Sequence, residues 1–232
     1  MTKILAVIPV KLNSKRLPKK NIKLLENFPL FVWTYATAMA CKNINKIVIS
    51  TESKKVLSIA KKFGYNHNYL RPKKLIISKS NNSDVVLDVI NYESKLGNNY
   101  DHILLLQPTS PIRKKNSLDN FIKLYLNSKC NSGISLKGPI NKKYTFLGRI
   151  KKNRYNFIDY SLKNTEFYQP NGSVYIAKIK EFKKKKKFFI NPIYPIIHNI
   201  YESIDIDYLD DFDMASIVLK NKKILVTTPK KK

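Results

Sequence analysis

The sequence predicts a three-layer α/β/α sandwich with a mostly parallel sheet, and three observations carry that expectation. Short continuous runs of Ile, Val and Leu recur along the chain. Longer stretches whose apolar residues follow helical spacing lie between them. The order strand, helix, strand then repeats, which calls for a sheet covered by helices on both faces.

Taken in order, the strand runs are ILAVI (4–8), KIVIS (46–50), HILLL (102–106), GISL (133–136) and SVYI (173–176). The helical stretches are 30–42, 53–63, 84–96 and 117–127. Trp33, Tyr35 and Met39 fall at near-helical spacing and read as core. Residues 138–170, beginning GPINKKYTFLGRIKKNRYNF, break the alternation with charge and tyrosine. They read as an arm inserted into the sandwich, serving as a lid, a dimerisation element or both. The run KKKKK at 183–187 reads as a solvated loop and the terminal KKK as a frayed end. No internal repeat appears, and 232 residues fit one domain, 1–232.

An apolar share of 43% with 11% aromatic residues excludes a disordered chain. The net charge of +28, from 44 Lys and Arg against 16 Asp and Glu, favours anionic partners such as phosphates, nucleic acid or an anionic membrane. Much of that excess is Lys accompanied by Asn, Ile and Tyr, a composition that an AT-rich genome also produces, so charge alone selects no partner. Cys41 and Cys130 lie far apart without metal-ligand spacing, which points to a reducing cytoplasm. The apolar stretch after MTK is short and closed by Pro9, and no run of about 18 apolar residues follows. A soluble protein with no membrane insertion is expected.

Chemistry gathers first in IPVKLNSKRLPKKN (8–21), where Lys11, Lys15, Arg16, Lys19 and Lys20 follow a buried strand directly. In α/β sheets ligands collect at the carboxyl ends of strands, so this is an anion site in a ligand-binding place. The loop lacks the GxxxxGK of a P-loop and contains no glycine at all, which excludes a dinucleotide fingerprint. Lysines must therefore neutralise most of the anion, with Ser14 and backbone N–H groups adding hydrogen bonds. His67, His102 and His198 are scattered and read as structural, and no nucleophilic triad is present.

VKLNSKRLPKKN resembles the N-terminal signature of the acylneuraminate cytidylyltransferases (CMP-sialic acid synthetases), A-R-x-x-S-K-x-L-P-x-K-N. It matches the S-K, the L-P and the final K-N in register. The resemblance continues through VISTES (48–53), LRP (70–72), LLQPTSPIR (105–113), PNGSVYI (170–176) and SIDIDYLDDF (203–212), in the family's order and spacing. It implies a Rossmann-like nucleotidyltransferase fold and transfer of CMP from CTP to a nonulosonic, sialic-acid-like sugar with release of pyrophosphate. Lys11, Lys20 and Asp207 take the catalytic positions, with Ser14, Lys15, Asn21, Arg71, Asn82 and Ser83 around the nucleotide. Gln107, Thr109, Ser110, Lys163, Gln169 and Asn171 fall on the sugar side, and a homodimer through the 138–170 arm is implied in the same way.

The blocks also read physically. Asp205 and Asp207 are two apart, so in a strand both carboxylates face one way and suit Mg²⁺ bridging phosphates. Gln107, Thr109 and Ser110 form a polar turn just past a buried strand. Gly172 allows positive φ or close backbone approach, while Asn171 reads a polar ligand group. Departures from the family are specific. Lys11 stands where the family has arginine, losing the bidentate fork. Gln169 stands where it has the arginine before PNG, and SLKNTE (161–166) replaces a segment linked to the sugar carboxylate, leaving Lys163 as a point charge. Three other readings follow: a CMP-Kdo synthetase-like enzyme, a family member that has lost transfer, and a basic nucleic-acid-binding protein. The paired aspartates beside the cations argue against specific nucleic acid.

Overall fold

The computed structural model describes residues 2–14, 16–76, 81–140, 148–157 and 166–231. Ten strands and six α-helices appear among them: β1 Ile4–Pro9, β2 Leu24–Leu25, β3 Phe28–Pro29, α1 Leu30–Ala40, β4 Lys46–Ser50, α2 Lys54–Lys61, α3 Asn82–Lys95, β5 His102–Leu106, α4 Ser117–Asn127, β6 Ser132–Ile140, β7 Gly148–Lys151, β8 Arg154–Phe157, β9 Phe167–Lys178, α5 Ile179–Lys185, β10 Ile193–Ile197 and α6 Leu209–Lys220. Eight strands form one sheet in the order β4-β1-β5-β9-β6-β10-β8-β7, and β2-β3 is a separate pair.

Alternate residues of the central strands feed two cores, which is what a sheet buried on both faces requires. Ile4, Ala6 and Ile8 of β1 and Leu104 and Leu106 of β5 pack with Phe31, Val32 and Tyr35 of α1, Val56 of α2 and Phe121 and Tyr125 of α4. Leu5, Val7, Ile103 and Leu105 face the other way, onto Val86, Val89 and Ile90 of α3 and Phe182 of α5. The three layers are therefore as expected. A further cluster joins Trp33 of α1 to Phe212 and Ala215 of α6.

The direction of one strand is new. β1 is parallel to β4 and β5, and β6 to β10, but β9 runs antiparallel between β5 and β6. SVYI is therefore the middle of a twelve-residue reversed strand. Local apolarity marks a strand but carries no direction. Its neighbour β6 admits no side chain at Gly133, where a Cβ would meet Phe121 Cζ at 2.8 Å and Ile176 Cγ2 at 2.9 Å.

Helix ends follow local chemistry. Ser53 caps α2 by accepting from Val56 N, and Asn81 with Asp84 forms a capping box on α3. α1 is apolar around most of its circumference, with eight of its eleven residues buried, and its Trp33 Nε1 donates to Leu25 O at 3.1 Å. Met39 of the same helix is an exception to the core reading, at 47% exposed. The lysine run also differs from expectation: Lys183 to Lys185 end α5, anchored by buried Ile179 and Phe182. Where it is described, the expected 138–170 arm is part of the main sheet: 138–140 end β6, 167–170 begin β9, and β7 and β8 form an antiparallel hairpin that also pairs with β9 and β10, while 141–147 and 158–165 lie outside the described residues. No helix among the described residues is long and apolar enough to cross a membrane.

Candidate active site

β1 ends at the carboxyl edge of the sheet and releases the basic loop there. Two bonds fix the exit: Val10 N donates to Ser50 O at 2.8 Å and Leu12 N to Glu52 Oε1 at 2.8 Å. The Arg71 guanidinium, 6% exposed, donates to Ser50 Oγ and Ser50 O and lies 3.9 Å from Glu52 Oε2. Arg71 thus braces the segment that braces the loop, and its guanidinium is directed at protein groups. VISTES and LRP work together as scaffold.

A cleft of about 530 Å³ opens over this edge. Its lining brings together Lys11, Ser14, Lys20, Asn21, Asn82, Gln107, Thr109, Asp205 and Asp207, residues drawn from four separate stretches of sequence. Ser83, Arg71, Ser110, Gln169 and Asn171 do not line it. Lys15 and Lys163 lie outside the described residues.

The acidic pair reaches the cleft by a route other than a strand. Residues 204–207 are irregular extended chain leading into α6. Ile206, fully buried, anchors them, with its N–H donating to Thr109 O at 2.7 Å and its carbonyl accepting from Lys20 Nζ. With Ile206 turned inward, Asp205 and Asp207 both line the opening. Asp211, in the first turn of α6, accepts from Asp207 N at 2.9 Å and Tyr208 N at 2.8 Å, fixing the approach to the helix.

Both oxygens of Asp207 face cations: Oδ1 takes Lys20 Nζ at 3.0 Å and Oδ2 takes Arg16 Nη1 at 2.8 Å. Lys20 is buried and doubly held, whereas the Arg16 side chain is 56% exposed and passes over the Tyr208 ring at 5.6 Å. Arg16 belongs to the site, although the sequence marks it only as one of the loop's cations and gives it no partner. The family pattern leaves its position unspecified, and its partner lies 191 residues away. Asp205 is open to solvent through the cleft, yet the protein packed around it leaves its ionised form under-solvated. That burial raises its pKa above the ordinary 3.8; a Thr109 hydrogen bond and Lys20 oppose the rise, and the Asp207 charge adds to it. Among the described residues no three His, Cys, Asp or Glu side chains form a closed metal cage.

Asn21 is 5% exposed, gives its Nδ2 to Lys11 O at 2.8 Å, and leaves buried Oδ1 without a partner among the described residues. A buried acceptor of this kind is costly unless a ligand completes it. Asn171 is the opposite case. Its Oδ1 takes Ser135 Oγ at 2.6 Å and Ser173 N at 3.2 Å, and its Nδ2 faces His198 Nδ1 at 3.1 Å and Ser203 Oγ at 3.2 Å. It is a structural hub, and Gly172 beside it has φ of +81°, as its backbone role requires. The histidines are structural too, but His67 has a carboxylate partner, Glu93 Oε1 at 2.8 Å, invisible at a separation of 26 residues. A larger cavity of about 640 Å³ lies between α4 and β10. It lacks the basic loop and its single carboxylate, Glu202, accepts from Lys114 N at 2.9 Å, so the chemistry belongs to the smaller cleft.

Comparison with known proteins agrees with this geometry. A family model described as cytidylyltransferase matches residues 5–223. The CMP-N,N'-diacetyllegionaminic acid synthase of Legionella pneumophila is 32% identical, over 97% of this chain and 100% of that protein. The N-acylneuraminate cytidylyltransferase of Escherichia coli is 29% identical over 96% of this chain, which spans 53% of that longer protein. The pseudaminic acid cytidylyltransferase of Campylobacter jejuni is 24% identical over 94% of this chain and 97% of that one. Among solved structures, a CMP:2-keto-3-deoxy-manno-octonic acid synthetase complexed with CTP superimposes with a TM-score of 0.74 at 12% identity, covering 95% of this chain and 100% of that one.

Proposed function

This chain belongs to the cytidylyltransferase family, and from that premise we propose that it transfers CMP from CTP to a nonulosonic acid, releasing pyrophosphate. The observation that carries the proposal is the cleft itself: a basic loop released by β1 faces two carboxylates delivered from the other end of the chain. A diacetamido acceptor comes first among candidates, since the relative at 32% identity is named for one. The CTP-bound octulosonate synthetase shares the fold, and an eight-carbon acceptor is the alternative to test beside it.

In this reading the anomeric hydroxyl of the sugar attacks the α-phosphorus of CTP, the bond to the β-phosphate breaks, and pyrophosphate leaves. Lys20, fixed by Ile206 O and Asp207, holds a positive charge at an invariant place in the cleft, and Lys11 and Arg16 add to it. Ser14 supplies a hydroxyl to the phosphates. Asn21 Oδ1 is an acceptor for a nucleotide N–H, and Gln107 and Thr109 offer polar groups to the sugar. Asp207 accepts the hydroxyl proton as the new bond forms.

Asp205 and Asp207 would also hold Mg²⁺. Two carboxylates, short of a full protein cage, suit a cation that keeps water and takes phosphate oxygens as further ligands. When bound it supplies charge neutralisation on the triphosphate. The Arg16–Asp207 pair is exposed on the Arg16 side and therefore weak, so a triphosphate could take the guanidinium from it at little cost.

The same reading carries a homodimer through the 138–170 segment, whose described parts include the β7–β8 hairpin, and a reducing cytoplasmic setting that suits the buried free thiols of Cys41 and Cys130. The test is pyrophosphate release with Mg²⁺ across the four ribonucleoside triphosphates and a panel of nonulosonic acids and Kdo. Release with CTP and one acceptor supports the reading. A folded protein that releases none with any combination refutes it.

A further inference from the structure

The block LLQPTSPIR ends in a residue that the mechanism above leaves unused. Arg113 is 1% exposed, yet its side chain is a cation. Nη1 donates to Thr34 Oγ1 at 2.9 Å, and Nη2 donates to Gln107 O at 2.9 Å and Ser173 O at 2.8 Å. Its Nε has no partner, and no carboxylate pairs with it within salt-bridge distance, among the described residues. Burial lowers its pKa to about 9, with Glu202 opposing, so it remains charged at neutral pH. A buried cation without a carboxylate is expensive, and a methionine would fill similar space without that cost.

What methionine would not do is join three elements at one point. The β5–β9 ladder ends at Leu106 and Val174. Just beyond, where one long backbone bond from Gln107 N to Ser173 O at 3.3 Å is the last between the two strands, Arg113 ties Gln107 O to Ser173 O and both to Thr34 of α1. The Gln107 carbonyl also accepts from Ser110 N at 3.3 Å and from Thr34 Oγ1 at 3.4 Å, with Arg113 the shortest of the three. Its side chain lies over the Gly172 bend, with Nε2 at 3.7 Å from where a Cβ of Gly172 would be. None of the Arg113 bonds reaches the basic loop at 10–21.

We propose that Arg113 is a positioning residue for the acceptor half of the site: it holds the Gln107 turn against the Gly172 bend, so that Gln107 and Thr109 meet the sugar in one geometry. It leaves the nucleotide half alone. The inference rests on the cytidylyltransferase reading and on that turn facing the acceptor.

The experiment measures KM for the acceptor, KM for CTP, and CTP affinity by calorimetry with Mg²⁺, in the native enzyme and in Arg113→Lys and Arg113→Met. Loss of charge-assisted bonds at the turn is expected to raise the acceptor KM by about 10-fold in Arg113→Met, because one such bond is worth roughly a factor of ten or more. Arg113→Lys recovers part of this, and CTP affinity stays within about 2-fold, below the level at which a lost charged bond would show. Thr34→Val keeps the shape and removes the hydroxyl that accepts from the guanidinium and donates to Gln107 O at 3.4 Å, so it loosens the same turn and moves the acceptor KM in the same direction by less, and an unchanged acceptor KM there overturns the proposal even if the Arg113 variants do not fold. Parallel changes in both KM values, or an unchanged acceptor KM in a folded variant, would overturn the proposal. A native enzyme that turns over no acceptor defeats the functional reading first, and this inference with it.

Discussion

The two halves of the cleft are built on opposite principles. In the half proposed for the nucleotide, Asn21 Oδ1 has no partner among the described residues, Asp205 is under-solvated, and Asp207 is held by buried Lys20 on one oxygen and by half-exposed Arg16 on the other. In the half proposed for the acceptor, Asn171, Ser135, His198 and Ser203 satisfy one another behind the surface and Arg113 closes the strand ends, and the buried atoms left without a partner there, Arg113 Nε and Ser173 Oγ, belong to residues that do not line the cleft. The first half presents its unmet interactions to the cleft, where a highly charged ligand would meet them. The other spends its polar groups on rigidity, which is what orienting a neutral hydroxyl requires.

The contrast can be broken most directly at Asp207. Asp207→Ala is expected to lower the rate of pyrophosphate release by about 10³-fold, since it removes charge from the point where the bond changes occur. The protein should stay folded by circular dichroism. Full activity would remove Asp207 from the mechanism.

On the rigid side the largest expected effect is on stability. His198 is 4% exposed, and burial first, then the charge of Arg113, lowers its pKa from 6.5 to about 4. A base whose folded pKa is depressed stays neutral in the native state while the unfolded chain takes up a proton. Stability is therefore full above pH 6.5 and falls as pH drops toward 4, by about 3 kcal/mol over that window. His198→Gln should flatten this slope in urea unfolding measured at successive pH values. An unchanged slope would mean the proton goes elsewhere.

Asp205 gives a smaller effect of opposite sign. Its raised pKa means that the native state holds its proton more tightly than the unfolded chain, so stability falls as pH rises from 3.8 through the folded value. Asp205→Asn should therefore raise the melting temperature at pH 7, without metal, and leave it unchanged below pH 3. The gain is modest because solvent reaches the carboxyl, and it comes with loss of transfer. Smallest of all is Arg16→Ala in the ligand-free protein, below about 1 kcal/mol, as an exposed ion pair allows. A large loss there would show Arg16 to be structural, and would equalise the two halves.

How far these features can be read from sequence varies by cause. β1, β4 and β5 are plain in ILAVI, KIVIS and HILLL because burial on both faces writes itself as continuous apolarity. The reversed course of β9 is not, since strand direction depends on connections and not on local pattern. Strand alternation puts the two aspartates on one face, although the segment is no strand. They share the cleft because Ile206 turns inward and leaves its two neighbours on it, the same parity by another cause. Arg71 and Asn171 show the limit of motif reading. Both belong to the blocks that mark the family, but their polar groups are bonded to Ser50, Ser135 and Ser173, a fact that requires the fold. Arg16 is the converse, a contact made across 191 residues at a position no pattern fixes.

The central claim is the bond that forms. The measurement that addresses it is the ³¹P spectrum and product mass after incubation of the protein with CTP, Mg²⁺ and a diacetamido nonulosonic acid. The account expects a single new phosphodiester resonance, the mass of a CMP-sugar, and pyrophosphate in equal amount. Conversion of CTP to CDP with a phosphorylated sugar would place the attack at the γ-phosphorus and contradict it.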